Sequence, residues 1–320
     1  MIELATALTA AAGTPVEVRH VEPVTGGAQR DTAFLDVVVD GRPRSWVLSV
    51  QRARIDGIPM TVEVACLRAA RAAEVRAPAV VAATDDISLL GGPFMVTERR
   101  PGEAIGRRVQ RLAAGDDGLG ERVIADLGHD LARLHRDAEP PVGLERLDGP
   151  AYVVRLRAEF EELPRPSAPV AAGLAWLADD PPTMNEPVLV HGDLRIGNVV
   201  VDPSGLTAII DWELAHLGDP MEDLAWASVR TWRYGRTPEV GGLAGLDVLV
   251  GAYEEAGGTF DRDRFEWWRI ARTVWWCLGL GRQAGAWMDG RSTSLVHAAS
   301  GRRVAEIEWD LLDLLEEPLG

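Results

Sequence analysis

The hydrophobic pattern of the chain changes from strand-like alternation to helical periodicity at Pro101-Gly102, and this change constrains the fold most strongly. Before it, apolar residues alternate in three runs between residues 17 and 52, and Asp40-Gly41 separates two of them as a hairpin turn. Residues 61–73 indicate a helix, and two further strand-like runs flank Gly91-Gly92. The first hundred residues are therefore predicted to form a small antiparallel sheet with one main helix.

The residues after Gly102 are predicted to be mostly helical. The predicted helices cover residues 120–136, 151–162, 168–178, 221–232, 243–256, 261–288 and 299–316. Only two short runs around 188–212 look like strands. A sheet followed by helices is typical of an α+β protein with two lobes. We expect an N-terminal lobe over 1–98, a hinge over 99–102 and a helical lobe over 103–320.

Charge and cysteine content exclude several classes of protein. The net charge is −16, whereas binding to a nucleic-acid backbone needs a clustered excess of cations. Cys66 and Cys277 are too few for a disulfide framework or a zinc motif. The first residues lack the basic region of a signal peptide, and the apolar run between Arg272 and Arg282 is too short to span a bilayer. We expect a cytoplasmic protein that binds neither nucleic acid nor membrane; its oligomeric state is not predictable.

The segment H191-G-D-L-R-I-G-N198 carries the clearest chemical pattern, and Asp211 follows it at the end of an apolar run. Transfer of a γ-phosphoryl group needs a carboxylate that accepts the proton of the acceptor hydroxyl, and oxygen ligands that hold Mg²⁺. The spacing therefore predicts Asp193 as the base and Asn198 and Asp211 as Mg²⁺ ligands. Turn capping would explain one of these residues alone, but not the three at these intervals.

This segment resembles the aminoglycoside phosphotransferase-like superfamily, which includes choline, homoserine and fructosamine kinases. The residues HGDLRIGN and IIDWELAHLGDPMEDLAW are most similar to the branch whose kinase-like domain is also found fused to acyl-CoA dehydrogenases. The resemblance extends over nearly the whole chain, although only residues 188–227 are highly specific. It implies a protein-kinase-like fold, Mg²⁺, ATP or alternatively GTP as the phosphate donor, and a small-molecule hydroxyl as the acceptor.

The same resemblance assigns roles in the helical lobe. It makes Asp193 the catalytic base, and Asn198 and Asp211 the residues that hold Mg²⁺. Arg195 stands where related enzymes often place a basic residue that faces the transferred phosphate. Asp223 resembles a carboxylate that braces the backbone of the catalytic loop.

The N-terminal lobe matches the superfamily less closely. Gly26-Gly27 could cover the nucleotide phosphates, because backbone N–H groups without a neighbouring Cβ can approach closely, but glycine pairs are equally common in ordinary hairpins. The resemblance places Glu98 and Arg99 in a hinge whose backbone binds adenine. It also implies that Glu63 pairs with a cation on the preceding strand.

That cation is the main departure from the superfamily pattern. Related enzymes usually carry Lys, sometimes Arg, on the third strand to bind the α- and β-phosphates. Here all 33 basic residues are Arg, and alignment places Ser49 at the usual position. Arg52 has the opposite strand parity from Ser49 and would face the other side of a regular strand. If Val50 instead lines the adenine site, Arg52 takes the position that faces the phosphates. Arg54 is a third choice; we expect Arg52 to substitute.

Two interpretations of the tryptophan-rich helix remain open. Many of the 11 Trp residues lie near the C-terminus, including Trp267, Trp268, Trp275, Trp276 and Trp287. They form either a core stripe or an aromatic wall for the acceptor.

The acceptor and the function also have alternatives. An aminoglycoside would suit the acidic chain, and a hydroxylated metabolite such as a hydroxyacyl compound would suit the dehydrogenase-fused branch. An anionic acyl-CoA would need a basic patch, for which the candidates are the arginines at 230, 233, 236, 269, 272 and 282. The expected function is an ATP-dependent phosphotransferase, and the alternative is a catalytically impaired kinase-like module that binds nucleotide or regulates.

Overall fold

The computed structural model describes residues 2–24, 30–51, 57–163 and 165–316. The helices are α1 (Ile2–Ala12), α2 (Met60–Ala72), α3 (Ile87–Leu90), α4 (Gly106–Ala114), α5 (Leu119–Asp137), α6 (Gly149–Glu161), α7 (Ala168–Leu177), α8 (Pro220–Ser228), α9 (Leu246–Glu255), α10 (Arg262–Met288) and α11 (Leu295–Glu316). The strands are β1 (Val16–Val24), β2 (Arg30–Val39), β3 (Arg42–Gln51), β4 (Val80–Thr84), β5 (Phe94–Glu98), β6 (Val188–Val190), β7 (Val199–Asp202), β8 (Gly205–Ile209) and β9 (His216–Gly218). The predicted α+β organisation, with the main sheet first, is confirmed.

The N-terminal sheet is antiparallel, with the strand order β1-β2-β3-β5-β4. Asp40 and Gly41 both have positive φ angles, 50° and 72°, as a tight hairpin turn between β2 and β3 requires. One face of the sheet packs on α1, and Leu8 belongs to the same apolar cluster as alternate residues of β3 such as Leu48 and Val50. Because Val50 lies in this core, the interpretation that it lines the adenine site is wrong.

The second and larger core belongs to the helical lobe. This core includes buried residues of α5 and α10, such as Leu131 and Trp268. Val64 and Leu67 of α2 belong to the same cluster, so this helix joins the sheet to the helical lobe through apolar contacts. None of the helices in the described ranges is long and apolar enough to cross a membrane.

Three elements near the site are not predicted by the sequence. Helix α4 begins without a side-chain cap, and its many arginines obscure its apolar positions. Strand β9 has only three residues, fewer than a periodic pattern needs, and it pairs with β6. Strand β7 pairs with β8 and completes the hairpin between Asn198 and Asp211. The domain boundaries at 98 and 103 stay predictions.

Candidate functional site

Asn198 and Asp211 lie at the same end of the hairpin that β7 and β8 form. Val199 of β7 pairs with Ile209 of β8, and the N–H of Ile210 donates to the carbonyl oxygen of Asn198 at 2.9 Å. Asn198 precedes one strand and Asp211 follows the other by two residues, so antiparallel pairing brings them together. The spacing in the sequence thus translates into proximity.

The carboxylate of Asp193 is held by three side-chain donors. Asn198 Nδ2 donates to Oδ2 at 2.7 Å, while Trp226 Nε1 at 2.8 Å and Arg195 Nε at 3.3 Å donate to Oδ1. Asn198 Nδ2 also donates to the backbone oxygen of Asp193 at 2.8 Å. These contacts hold the carboxylate in one orientation in the absence of substrate.

Asp211 has a left-handed backbone conformation, with φ of 69°, and its side chain is open to solvent. Partial desolvation by the surrounding protein and the nearby charge of Asp193 raise the pKa of Asp211, whereas Arg195 lowers it. A divalent cation would relieve this repulsion between carboxylates. A non-glycine residue in this strained backbone conformation is often found at a functional site.

The donor set fits Mg²⁺. Nδ2 of Asn198 donates both of its hydrogen bonds to Asp193. The oxygen of the same amide, Oδ1, is therefore the atom that could bind a cation together with Asp211. Within the described ranges, no group of three or more His, Cys, Asp or Glu side chains could hold a metal ion. A site with one carboxylate and one amide is sufficient for Mg²⁺ when phosphate oxygens and water complete its coordination.

Asp223 braces the backbone of the loop from behind. Its fully buried carboxylate accepts hydrogen bonds from the N–H groups of His191 (2.8 Å) and Gly192 (2.9 Å). It also accepts one from His135 Nε2 at 3.2 Å. Burial opposes ionisation, but His135 and the loop donors outweigh it and hold the pKa of Asp223 below its usual value. Asp223 therefore remains charged and positions the loop.

His191 links the two segments that carry the site. Its Nδ1 accepts a hydrogen bond from the N–H of Asp193 at 3.2 Å, so Nε2 carries the proton and donates to the carbonyl oxygen of Ile210 at 3.0 Å. The ring packs on Trp212 with centroids 4.7 Å apart. One imidazole thus fixes the spacing between Asp193 and Asp211.

Arg272 of α10 is a supporting residue, and its prediction as part of a basic patch is wrong. Its side chain is 3% exposed and is paired with Glu222 at 3.0 Å. Its Nη2 donates to the carbonyl oxygen of Gly192 at 2.6 Å, and its guanidinium lies over the rings of Trp226 and Trp275. The spacing of 80 residues between Arg272 and the loop leaves no local sequence signal for this contact.

Four tryptophans of α10 belong to the helical core or pack against it, as a core stripe requires, and the aromatic wall for the acceptor stays a prediction. Trp267 and Trp268 are buried in the helical core. Trp287 is 44% exposed and belongs to neither group. Trp275 and Trp276 pack against Trp226 and Trp232 of the segment after Asp211, with ring centroids 5.2 to 6.0 Å apart. This aromatic cluster consists of Trp226, Trp232, Trp275 and Trp276.

The aromatic cluster adjoins the candidate base. Trp226 is hydrogen-bonded to Asp193, and the guanidinium of Arg195 lies 4.7 Å above the ring of Trp232. The buried indole nitrogens of Trp232 and Trp276 have no hydrogen-bond partner among the described residues. Unsatisfied buried donors next to the candidate base could bind a ligand or a water molecule.

The candidate basic patch is smaller than the sequence suggests. Arg282 is paired with Glu159, and Arg230 is paired with Asp313 at 2.9 Å. Arg233, in the same short 3-10 helix as Trp232, is half-buried. Burial and the positive charges of Arg269 and Arg230 lower the pKa of Arg233, although Glu239 opposes them. We call Arg230, Arg233 and Arg269 the arginine cluster.

Glu63 is buried and paired with an arginine, but not one of the candidates considered from the sequence. Arg30, the first residue of β2, donates from Nη2 to Glu63 at 2.6 Å and lies 3.5 Å from Glu213. Burial and the charge of Asp211 raise the pKa of Glu213 to about 7. Among the described residues, the partner of Glu63 therefore lies on β2, one strand further away than the sequence suggests. A pairing of Glu63 with a cation after β3 stays a prediction, because Arg52 and Arg54 lie outside the described residues. Four of the predicted nucleotide contacts, Gly26, Gly27, Arg52 and Arg54, lie outside the described residues.

The remaining predicted nucleotide contacts lie along β3 and β5. Ser49 pairs with Thr32 on one side and with Met95 on the other. The N–H groups of Glu98 and Arg99 donate to the carbonyl oxygens of Ala79 and Ser45 at 2.9 and 3.0 Å. These two donors are therefore engaged by protein, and the adenine-binding role of Glu98 and Arg99 stays a prediction.

Comparisons with known proteins agree with this geometry. The model of the phosphotransferase enzyme family matches residues 20–268. Acyl-CoA dehydrogenase family member 11 of Gallus gallus is 32% identical over 153 residues, 45% of this chain and 19% of that protein. Family member 10 of Mus musculus is 27% identical over 190 residues, 57% of this chain and 18% of that protein. The chain thus matches less than a fifth of the length of these relatives.

A solved structure shows the same fold over nearly the whole chain. Spectinomycin phosphotransferase, in complex with ADP and spectinomycin, superposes with a TM-score of 0.64 at 16% identity, over 97% of this chain and 98% of that one. This similarity confirms the predicted two-lobed, protein-kinase-like fold.

Proposed function

Because the chain belongs to the phosphotransferase enzyme family, we propose that it transfers the γ-phosphate of ATP to a hydroxyl group of a small molecule with the help of Mg²⁺. The observation that carries this proposal is the carboxylate of Asp193, held by three donors beside Asn198 and Asp211. Asp193 orients the acceptor hydroxyl and accepts its proton as the oxygen attacks the γ-phosphorus and ADP leaves. Mg²⁺, when bound by Asn198 and Asp211, neutralises charge on the phosphates.

The donor nucleotide is ATP in this proposal, with GTP as the alternative. Support comes from the fold shared with spectinomycin phosphotransferase, which was solved with ADP. Arg195 stands two residues after the base and contacts it at 3.3 Å, so its guanidinium is well placed to stabilise charge on the transferred phosphoryl group.

The acceptor is proposed to be a hydroxylated metabolite with an anionic group, such as a hydroxyacyl compound. Trp275 and Trp276 of the aromatic cluster are half-buried and offer flat apolar surface, and the indole nitrogens of Trp232 and Trp276 lack partners among the described residues. Within the arginine cluster, Arg230 is paired with Asp313 and Arg269 with Glu266. Arg233, which is half-buried and next to Trp232, is the guanidinium that would bind a carboxylate or phosphate of the acceptor in this proposal.

The test is ADP formation with MgATP against a panel of hydroxy acids, hydroxyacyl thioesters and aminoglycosides. Asp193→Asn should lower kcat ~10²- to 10⁴-fold with the productive acceptor, because the base is lost. The matched control is Asp202→Asn, a change at the outer end of the same hairpin, which should retain activity. Undiminished turnover in Asp193→Asn would refute the proposed role. Nucleotide binding without turnover across the panel would instead support a module that binds nucleotide and has no catalytic activity.

A further inference from the structure

Strand register places Arg30 on the same face of the sheet as Ser49. Arg30 pairs with Gln51, and Thr32 pairs with Ser49, in the antiparallel ladder of β2 and β3. Directly opposed residues in such a ladder share a face, and so do residues two apart on one strand. Arg30 and Ser49 therefore project to the face opposite the core of α1.

That face is the one turned toward α2 and the helical lobe. Met95, which pairs with Ser49, belongs to the same apolar cluster as Val64 of α2. Ser49 has a short neutral side chain where related enzymes carry a long cationic one. Arg30 lies on the neighbouring strand, and its side chain is long enough to reach Glu63 of α2.

The contacts of Arg30 are those of a cation placed between two lobes. Its side chain is 9% exposed, and it pairs with Glu63 of α2 at 2.6 Å and with Glu213, two residues after Asp211, at 3.5 Å. Its buried Nε has no hydrogen-bond partner among the described residues. The short pair with Glu63 thus orients the guanidinium. Because the contact with Glu213 is long and Nε has no partner among the described residues, the guanidinium can bind a further anion.

We propose that Arg30, supplied by β2 instead of β3, is the cation that binds the nucleotide phosphates in this protein, with Glu63 as its positioning partner. The proposal rests on the proposed function, since it assigns a residue to the same nucleotide site. A guanidinium offers up to five donors in a planar fork, so one edge can stay on Glu63 while other N–H groups bind phosphate oxygens. This relocation accounts for a chain with no lysine and with serine at position 49.

The decisive experiment measures the Kd of MgADP and MgATP by calorimetry, which needs no turnover. Arg30→Gln should raise both Kd values ~10- to 100-fold, the range expected when hydrogen bonds to a charged partner are lost. Because Arg30→Gln leaves Glu63 buried without its partner, a second variant, Arg30→Gln with Glu63→Gln, keeps the pair neutral and should show the same loss. Adding Ser49→Lys to this double variant restores a cation on β3 and should recover part of the affinity.

Two control variants test whether the loss of affinity is specific to Arg30. Arg44→Gln removes an exposed arginine of the same sheet and should leave both Kd values unchanged. Arg52→Gln tests the substitute expected from the sequence. Wild-type affinity in the double variant, or a loss confined to Arg52→Gln, would overturn the assignment to Arg30. Absence of nucleotide binding by the wild-type protein would be a different result, because it would refute the proposed function itself.

Discussion

At the scale of single residues, the proposed catalysis depends on how firmly Asp193 is held. Trp226 donates the shortest of the contacts to its Oδ1, at 2.8 Å. Trp226→Phe should leave the aromatic packing largely intact and lower kcat by about 10-fold, since a hydrogen bond to a charged group contributes ~1.5–3 kcal/mol. The KM for ATP should hardly change, because this indole does not contact the nucleotide in the proposal. Steady-state kinetics with both substrates varied would check this, and an equal loss in Trp267→Phe would show that the effect is only structural.

The residues of the central site are predictable because they are close in sequence. Asp193 and Asn198 share one loop, and Asp211 follows at the end of an apolar run, so spacing alone indicates their proximity. Arg30 and Arg272 are not predictable in this way, because their roles depend on strand register and on contacts between residues far apart in the chain. Only a register prediction for β2 and β3 could have pointed to Arg30.

At the scale of elements, Arg272 joins α10 to α8 and to the loop that carries Asp193. Removing it leaves Glu222, which is fully buried, without its guanidinium partner. Arg272→Met should therefore reduce the free energy of unfolding by about 3–5 kcal/mol, while Arg272→Met with Glu222→Gln should recover a good part of this loss. Chemical denaturation of the two single variants and the double variant measures the coupling. Additive losses would contradict a direct interaction between the two side chains.

The contact between β9 and α8 should make stability depend on pH. His216 Nδ1 faces the carbonyl oxygen of Leu214 at 2.9 Å, and Nε2 faces Glu222 at 3.0 Å, so both nitrogens can donate only when the ring is protonated. Burial lowers the pKa of His216 and Arg272 opposes protonation, but Glu222 and the hydrogen bonds raise the pKa above its usual value.

A raised pKa in the folded state stabilises the protein fully below the unfolded pKa of about 6.5, and this stability is lost as pH rises through the folded value. The difference in unfolding free energy between wild type and His216→Asn should therefore be larger at pH 6 than at pH 9. Urea titrations at the two pH values measure it, and a difference that does not change with pH would contradict protonation of His216 in the folded state.

Element prediction fails where the local pattern is weak. Helix α4 has no side-chain cap, and β9 exists through its pairing with β6 and not through any pattern of its own. The long helices α5 and α10 are predicted closely, because an apolar face repeated over several turns gives a strong periodic signal.

At the scale of the whole molecule, the two lobes meet at the candidate nucleotide site. The N–H of Ile58 donates to the carbonyl oxygen of Glu213 at 3.0 Å, and Arg30 reaches Glu213 from β2. The change of periodicity at Pro101-Gly102 predicts the two lobes. It cannot predict that α2 shares the core of the helical lobe, since that depends on how the lobes pack. A ligand bound between them should stabilise both.

The most direct test of the central claim is thermal unfolding with and without Mg²⁺ and ADP, in wild type and in Asp211→Asn. At ~100 times its Kd, a ligand should stabilise the native state by about 2.7 kcal/mol and raise Tm accordingly. We expect a rise that requires Mg²⁺ in the wild type and is lost in Asp211→Asn. A rise of equal size in the variant, or no rise with ADP, ATP or GTP in the wild type, would contradict a Mg²⁺-nucleotide site at Asn198 and Asp211.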